Sequence, residues 1–125
     1  MAKILIVDDE PDTGGSLARV FQQAGHYVKC VPNGREALIE VLTKTPDVVL
    51  LDLLMPEMDG PSFLEVVRSY LRLQSLPVVV FTGLADSPMI ERTRHLHVNA
   101  ILVKGKASPE EILHALEAAV VSLPT

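Results

Sequence analysis

Asp8, Asp9, Asp52, Thr82 and Lys104 are the residues of this chain best suited to do chemistry. Each set directly follows a short apolar run. Ile4-Leu5-Ile6-Val7 precedes Asp8-Asp9, Val48-Val49-Leu50-Leu51 precedes Asp52, Val78-Val79-Val80-Phe81 precedes Thr82, and Ala100-Ile101-Leu102-Val103 precedes Lys104. Three carboxylates brought together cannot all stay ionised without a counter-charge, because like charges raise one another's pKa values. A hard divalent cation supplies that charge, and Mg²⁺ takes a few carboxylate and carbonyl oxygens while keeping several waters. Lys104 adds a compact ammonium with three donors, and Thr82 adds a hydroxyl. A metal, a cation and a hydroxyl around one free carboxylate oxygen form a receptor for a phosphoryl group, whose transfer needs in-line positioning and neutralised oxygens. The carboxylate itself can be the nucleophile and form an acyl phosphate.

This chemistry requires elements that deliver the five residues to one place. Short continuous apolar runs read as strands buried on both faces. Asp is a poor strand residue and should not be buried unpaired. Asp52 therefore belongs at the carboxyl end of a central parallel strand, where open α/β sheets place their ligand sites. Residues 27–31 read as a further short strand, followed by a Pro32-Asn33-Gly34 turn. Helical spacing separates the runs. Leu17, Val20, Phe21 and Ala24 share one face, with Gly25 past the helix end, although Gly14 and Gly15 each weaken it by roughly 1 kcal/mol. Ala37, Leu38, Val41 and Leu42 form a second face. Phe63, Leu64, Val67 and Leu71 form a third, opened by Gly60-Pro61. A weaker helix is expected within residues 87–96. Ser108-Pro109-Glu110-Glu111 is a capping box that starts a last helix carrying Ile112, Leu113, Leu116, Ala119, Val120 and Leu123 inward. The order is strand-helix five times. Short connections and right-handed crossovers make it a doubly wound α/β fold, a five-stranded parallel sheet with helices on both faces. The carboxyl ends of all strands then face one rim, and the second strand brings no obvious chemistry to it.

The 125 residues are expected to form one domain, residues 1–125, large enough to bury a core without staples. A net charge of −5 argues against a general nucleic-acid binder. One cysteine, Cys30, excludes an internal disulfide and a Cys-based zinc site. No run approaches the roughly 18 apolar residues of a membrane span, so a soluble, cytoplasmic protein is expected.

In these motifs and in their order the chain resembles the receiver domain of two-component response regulators, over essentially its whole length. The residues that carry the resemblance are Asp8-Asp9, Asp52-Leu53-Leu54-Met55-Pro56 with Asp59-Gly60, Thr82-Gly83, and Lys104. The resemblance implies a flavodoxin-like (βα)5 sandwich with strand order 2-1-3-4-5. It implies that Asp52 accepts a phosphoryl group from a phosphohistidine on a sensor histidine kinase or a histidine phosphotransfer protein. It further implies that Asp9 and Asp52 bind Mg²⁺ directly, that Asp8 acts mainly through water, and that the backbone carbonyl of Leu54 is another ligand. Thr82 and Lys104 would contact the phosphoryl oxygens. Phosphorylation would shift the face built from the fourth helix, the fifth strand and the fifth helix toward a downstream partner, as a monomer or a phosphorylation-dependent homodimer. Such a domain assists its own phosphorylation and dephosphorylation but turns over no external metabolite.

The match has departures. Gly105 stands where the family usually has a proline joined by a cis bond; a Lys-Gly bond should be trans, and a looser loop around Lys104 is expected. Ile101 replaces the usual aromatic residue. Leu54 and Leu84, two residues beyond Asp52 and Thr82, are apolar and should exclude hydrolytic water. Two rival readings follow. One is a receiver-like interaction module that works without phosphorylation. The other is a small aspartyl-nucleophile phosphatase, which usually wants an acid where Leu54 stands. The remaining polar residues have plainer readings. Asp12 and Asp59 read as helix-start and turn residues, His26 and His114 as surface groups, and Cys30 as a small buried hydrophobe. His95 and His97 do not share a helix face, which argues against a metal pair, and Val121 lies on the polar side of the last helix.

Overall fold

The computed structural model describes residues 1–84 and 87–121. The strands are β1 (Lys3–Val7), β2 (Tyr27–Val31), β3 (Val48–Leu51), β4 (Val78–Thr82) and β5 (Ala100–Val103). The helices are α1 (Pro11–Gln23), α2 (Gly34–Thr43), α3 (Gly60–Ser69), α4 (Pro88–Arg94) and α5 (Pro109–Val121), with a 3₁₀ turn at Leu71–Leu73. All strand pairs are parallel and the sheet order is β2-β1-β3-β4-β5, as the flavodoxin-like reading requires. β3 and β4 are buried along their whole lengths because both faces are covered. One core layer joins Leu5, Val7, Val49, Leu51, Phe63, Leu64 and Val67. The other joins Ile4, Ile6, Leu17, Phe21, Leu50, Ile112 and Leu116. Alternate residues along β1 and β3 thus serve opposite layers, as the two-residue period of a strand dictates.

Local signals place the helix starts. Asn33 caps α2 by accepting the Glu36 N–H at 2.8 Å, so Asn33-Gly34 is a helix start rather than an isolated turn. Asp59 caps α3 in the same way through Ser62. Ser108 and Glu111 form the expected capping box, each side chain accepting the other's backbone N–H.

Four expectations need correction. Leu71 does not face the core: α3 ends at Ser69, Tyr70 turns extended, and Leu73 is buried instead while Leu71 is 83% exposed. Ala24 is an exposed C-cap rather than part of the inner face of α1. Cys30 is exposed, because β2 is an edge strand and lacks cover on one side. His26 is not a surface group: its side chain is only 10% exposed, with Nδ1 accepting the Ala2 N–H and Nε2 donating to Glu117 at 2.9 Å. It ties the residue before β2 to Ala2 and to α5. The expected inward placement of Leu123 lies outside the described residues.

Candidate functional site

The backbone ladder continues one residue past the strand ends, and this fixes the chemistry-bearing residues. Asp8 N–H donates to Val31 C=O at 3.1 Å, Asp52 N–H to Val7 C=O at 2.9 Å, and Lys104 N–H to Thr82 C=O at 2.8 Å. Because β1 and β3 are neighbours at the centre of the sheet, Asp8 and Asp52 emerge side by side. Lys104 reaches them from the edge strand β5. Its Nζ lies 2.9 Å from Asp8 Oδ2, 3.2 Å from Asp52 Oδ2 and 3.4 Å from Glu10 Oε1, and it sits 5.7 Å from the centre of the Phe81 ring. Asp9, Glu10, Asp52, Leu54, Met55, Pro56, Thr82, Gly83, Leu84 and Lys104 line an open cleft of about 580 Å³, and Asp8 joins them through its bond to Lys104. Thr82 is fully buried and its Oγ1 accepts the Leu84 N–H at 3.3 Å. Every residue expected at the site from the sequence is therefore at this rim.

The segment after Lys104 forms a hydrogen-bonded turn. Val103 C=O accepts N–H bonds from both Lys106 and Ala107, and Gly105 bends the chain with φ +86. A left-handed residue in a tight turn suits glycine. No cis peptide occurs among the described residues, as the Lys-Gly sequence led us to expect.

The second strand end brings no chemistry to the rim, as the sequence reading has it, but it makes room for the loop that carries the site. A Cβ on Gly34, where β2 hands over to α2, would stand 2.6 Å from the Met58 carbonyl oxygen, so this glycine lets the β3–α3 loop close against α2. Gly60 plays the matching part at the other end of that loop. Its N–H donates to Leu53 C=O at 2.9 Å, and a Cβ there would lie 2.7 Å from Leu53 Cα and 2.9 Å from Asp52 O. Backbone atoms cannot step aside as a flexible side chain can. Gly60→Ala is expected to cost about 1–3 kcal/mol through overpacking, measured by urea unfolding.

Charge is unbalanced here. One ammonium faces three carboxylates, of which Asp8 and Asp52 are nearly inaccessible. Burial pushes the Asp52 carboxyl above its ordinary value, Lys104 pulls it back only in part, and Asp8 adds to the rise. Burial alone would lower the Lys104 ammonium, but the Asp8 hydrogen bond and the Asp52 and Asp8 charges outweigh it and hold the group above its ordinary value. The cation is over-supplied with partners while Asp52 remains under-neutralised, so the site has an excess of negative charge. Asp8, Asp9 and Glu10 offer carboxylate oxygens within 4.8 Å of one another. Hard oxygen donors with uncompensated charge suit a small divalent cation. Glu10 was missed in the sequence. The available signal was its place directly after the aspartate pair and before Pro11.

A five-stranded doubly wound sheet with a carboxylate-rich cleft at its carboxyl rim defines a flavodoxin-like signalling or nucleotide-handling class. The chain belongs to the response regulator receiver domain family, whose family model matches residues 4–117. It is 42% identical over 84 residues to the regulatory protein AtoC of Escherichia coli, a match covering 67% of this chain and 18% of that protein. It is 30% identical over 115 residues to the gliding motility regulatory protein of Myxococcus xanthus, covering 92% of this chain and 15% of that protein. The chain thus spans a small part of the length of either relative. The solved structure of the Vibrio cholerae chemotaxis protein CheY4 is 29% identical with a TM-score of 0.86, covering 95% of this chain and 98% of that one. The chain is a receiver domain of two-component signal transduction. No helix among the described residues is long and apolar enough to cross a membrane.

Proposed function

We propose that this receiver is a phosphorylation switch in which Asp52 is the phosphoacceptor. A carboxylate oxygen of Asp52 attacks the phosphorus of a phosphohistidine on a sensor kinase or phosphotransfer protein. The P–N bond breaks, its electron pair returns to the imidazole, and an acyl phosphate forms on Asp52. Lys104 offers its ammonium to the phosphoryl oxygens, and Thr82 offers its hydroxyl from the cleft wall. Asp8, Asp9 and Asp52, with the Leu54 carbonyl, would hold Mg²⁺, which when bound supplies neutralisation of the phosphoryl charge. The single observation that carries this reading is the Lys104 ammonium set between Asp8 and Asp52 at 2.9 and 3.2 Å. The new dianion biases Thr82 and, through it, the α4-β5-α5 face, which takes the output partner. Phosphodonor and output partner are both cytoplasmic in this reading.

The experiment is incubation with acetyl phosphate and Mg²⁺ followed by intact mass and peptide mapping. One phosphoryl group on Asp52, labile to hydroxylamine and absent from Asp52→Asn, is expected. Leu54 and Leu84 line the cleft beside Asp52, and they should keep water from the acyl phosphate, so its half-life is expected to exceed that of Leu84→Glu. An unmodified protein would instead favour the module that signals without phosphorylation.

A further inference from the structure

An ammonium has three N–H donors, and all three of those on Lys104 have a carboxylate within reach: Asp8 at 2.9 Å, Asp52 at 3.2 Å and Glu10 at 3.4 Å. A phosphoryl oxygen can bind Lys104 only by displacing one of them. Asp8 cannot yield easily. Its side chain is buried and its other oxygen already accepts the Glu10 N–H at 2.8 Å, so losing Lys104 would strand a buried charge. Asp52 is the acceptor itself. Glu10 has the longest contact and a side chain that is 64% exposed, so water can replace Lys104 at little cost.

We propose that Glu10 is a built-in stand-in for the phosphoryl group, a carboxylate that occupies the third Lys104 donor and restrains phosphoryl uptake until it is displaced. This rests on the phosphoacceptor reading above and names a regulating residue for it. Three features suit Glu10 to the part. It is the N-cap residue of α1 by position, yet its side chain makes no cap hydrogen bond, so it is free to serve Lys104. Its backbone is extended, with φ −95 and ψ 104, as the following Pro11 requires. The contact is therefore made and broken by side-chain rotation, leaving α1 in place. Glu10 also lines the cleft, where its charge opposes the entry of an anionic donor.

The test compares the parent with Glu10→Gln, following the initial rate of Asp52 modification by acetyl phosphate at saturating Mg²⁺. Removing an exposed ion pair of this kind predicts a rate about two- to fivefold higher at low ionic strength, with the difference shrinking as salt screens it. A second measurement needs no transfer: inorganic phosphate, followed by ³¹P NMR, should bind Glu10→Gln about two- to fivefold more tightly. Equal or slower modification with equal or weaker phosphate binding overturns the proposal, and a slower rate with weaker Mg²⁺ binding would make Glu10 a metal ligand instead. If neither protein is modified but phosphate binding still tightens, the phosphoacceptor reading fails while the Glu10 restraint stands.

Discussion

Asp52→Asn is expected to abolish phosphoryl uptake and, in the same protein, to raise the melting temperature near neutral pH. The first effect follows because an amide oxygen is no nucleophile for phosphorus, and of the two other carboxylates on Lys104, Asp8 is tied to the Glu10 N–H at 2.8 Å and Glu10 is the more distant at 3.4 Å. The second follows from linkage. Burial raises the folded-state pKa of Asp52 above its ordinary value of 3.8. A group whose folded pKa is raised favours the fold most below its unfolded pKa, and that contribution is lost as pH rises through the folded value. At neutral pH the ionised carboxylate is therefore a net cost to folding, which an isosteric neutral amide removes. The gain should vanish below about pH 3.8, where both states are protonated. Thermal unfolding of parent and variant from pH 3 to 8 in the absence of divalent ions reads this directly. A variant less stable than the parent at pH 7 would mean that Lys104 neutralises Asp52 more fully than its burial costs. A functional residue that destabilises its own fold is a familiar compromise.

The sheet was the most legible part of the sequence, because fully buried strands must be continuously apolar and a carboxylate must end them. The apolar runs at residues 4–7, 48–51, 78–81 and 100–103 are each within one residue of the observed strands. The shared placement of Asp8, Asp52, Thr82 and Lys104 was legible for the same reason, since a parallel sheet puts every strand's carboxyl end on one side. What escaped is what depends on neighbours distant in sequence. His26 looked like a surface histidine because nothing near it in sequence shows that Ala2 and Glu117 converge on its two ring nitrogens. Leu71 continued the helical spacing of α3, but the chain leaves helical geometry at Tyr70, and Leu73 fills the core instead. Gly34 read as a turn glycine, whereas its role is to leave room for the Met58 carbonyl. Glu10 went unnoticed because a single acidic residue before a proline carries no pattern; only the distance to Lys104 reveals it.

Lys104→Met tests the other side of the same charge balance. The ammonium is the one basic group bonded to Asp8 and Asp52 among the described residues, and those side chains are 4% and 6% exposed. Removing it leaves two adjacent buried carboxylates without a counter-charge. Breaking a buried pair in this way costs about 3–5 kcal/mol. Because the Lys104 side chain is 19% exposed and the cleft is open to water, about 2–4 kcal/mol is expected here. That corresponds to a melting temperature roughly 10 °C lower. The lysine's folded pKa is raised above 10.5, so its stabilisation is complete below that pH and is lost only as pH rises through the folded value. The gap between parent and variant should thus be full at pH 7 and should narrow in acid, as protonation of Asp52 removes one of the repelling charges. Two further results identify the mechanism. Mg²⁺ should restore more stability to the variant than to the parent, because ligand binding to the folded state adds directly to its stability. Asp52→Asn should stabilise Lys104→Met by more than it stabilises the parent, a non-additivity expected only where the two groups interact directly. Additive effects in that cycle would place the cost of losing Lys104 in its packing over Phe81 rather than in the carboxylates it bridges.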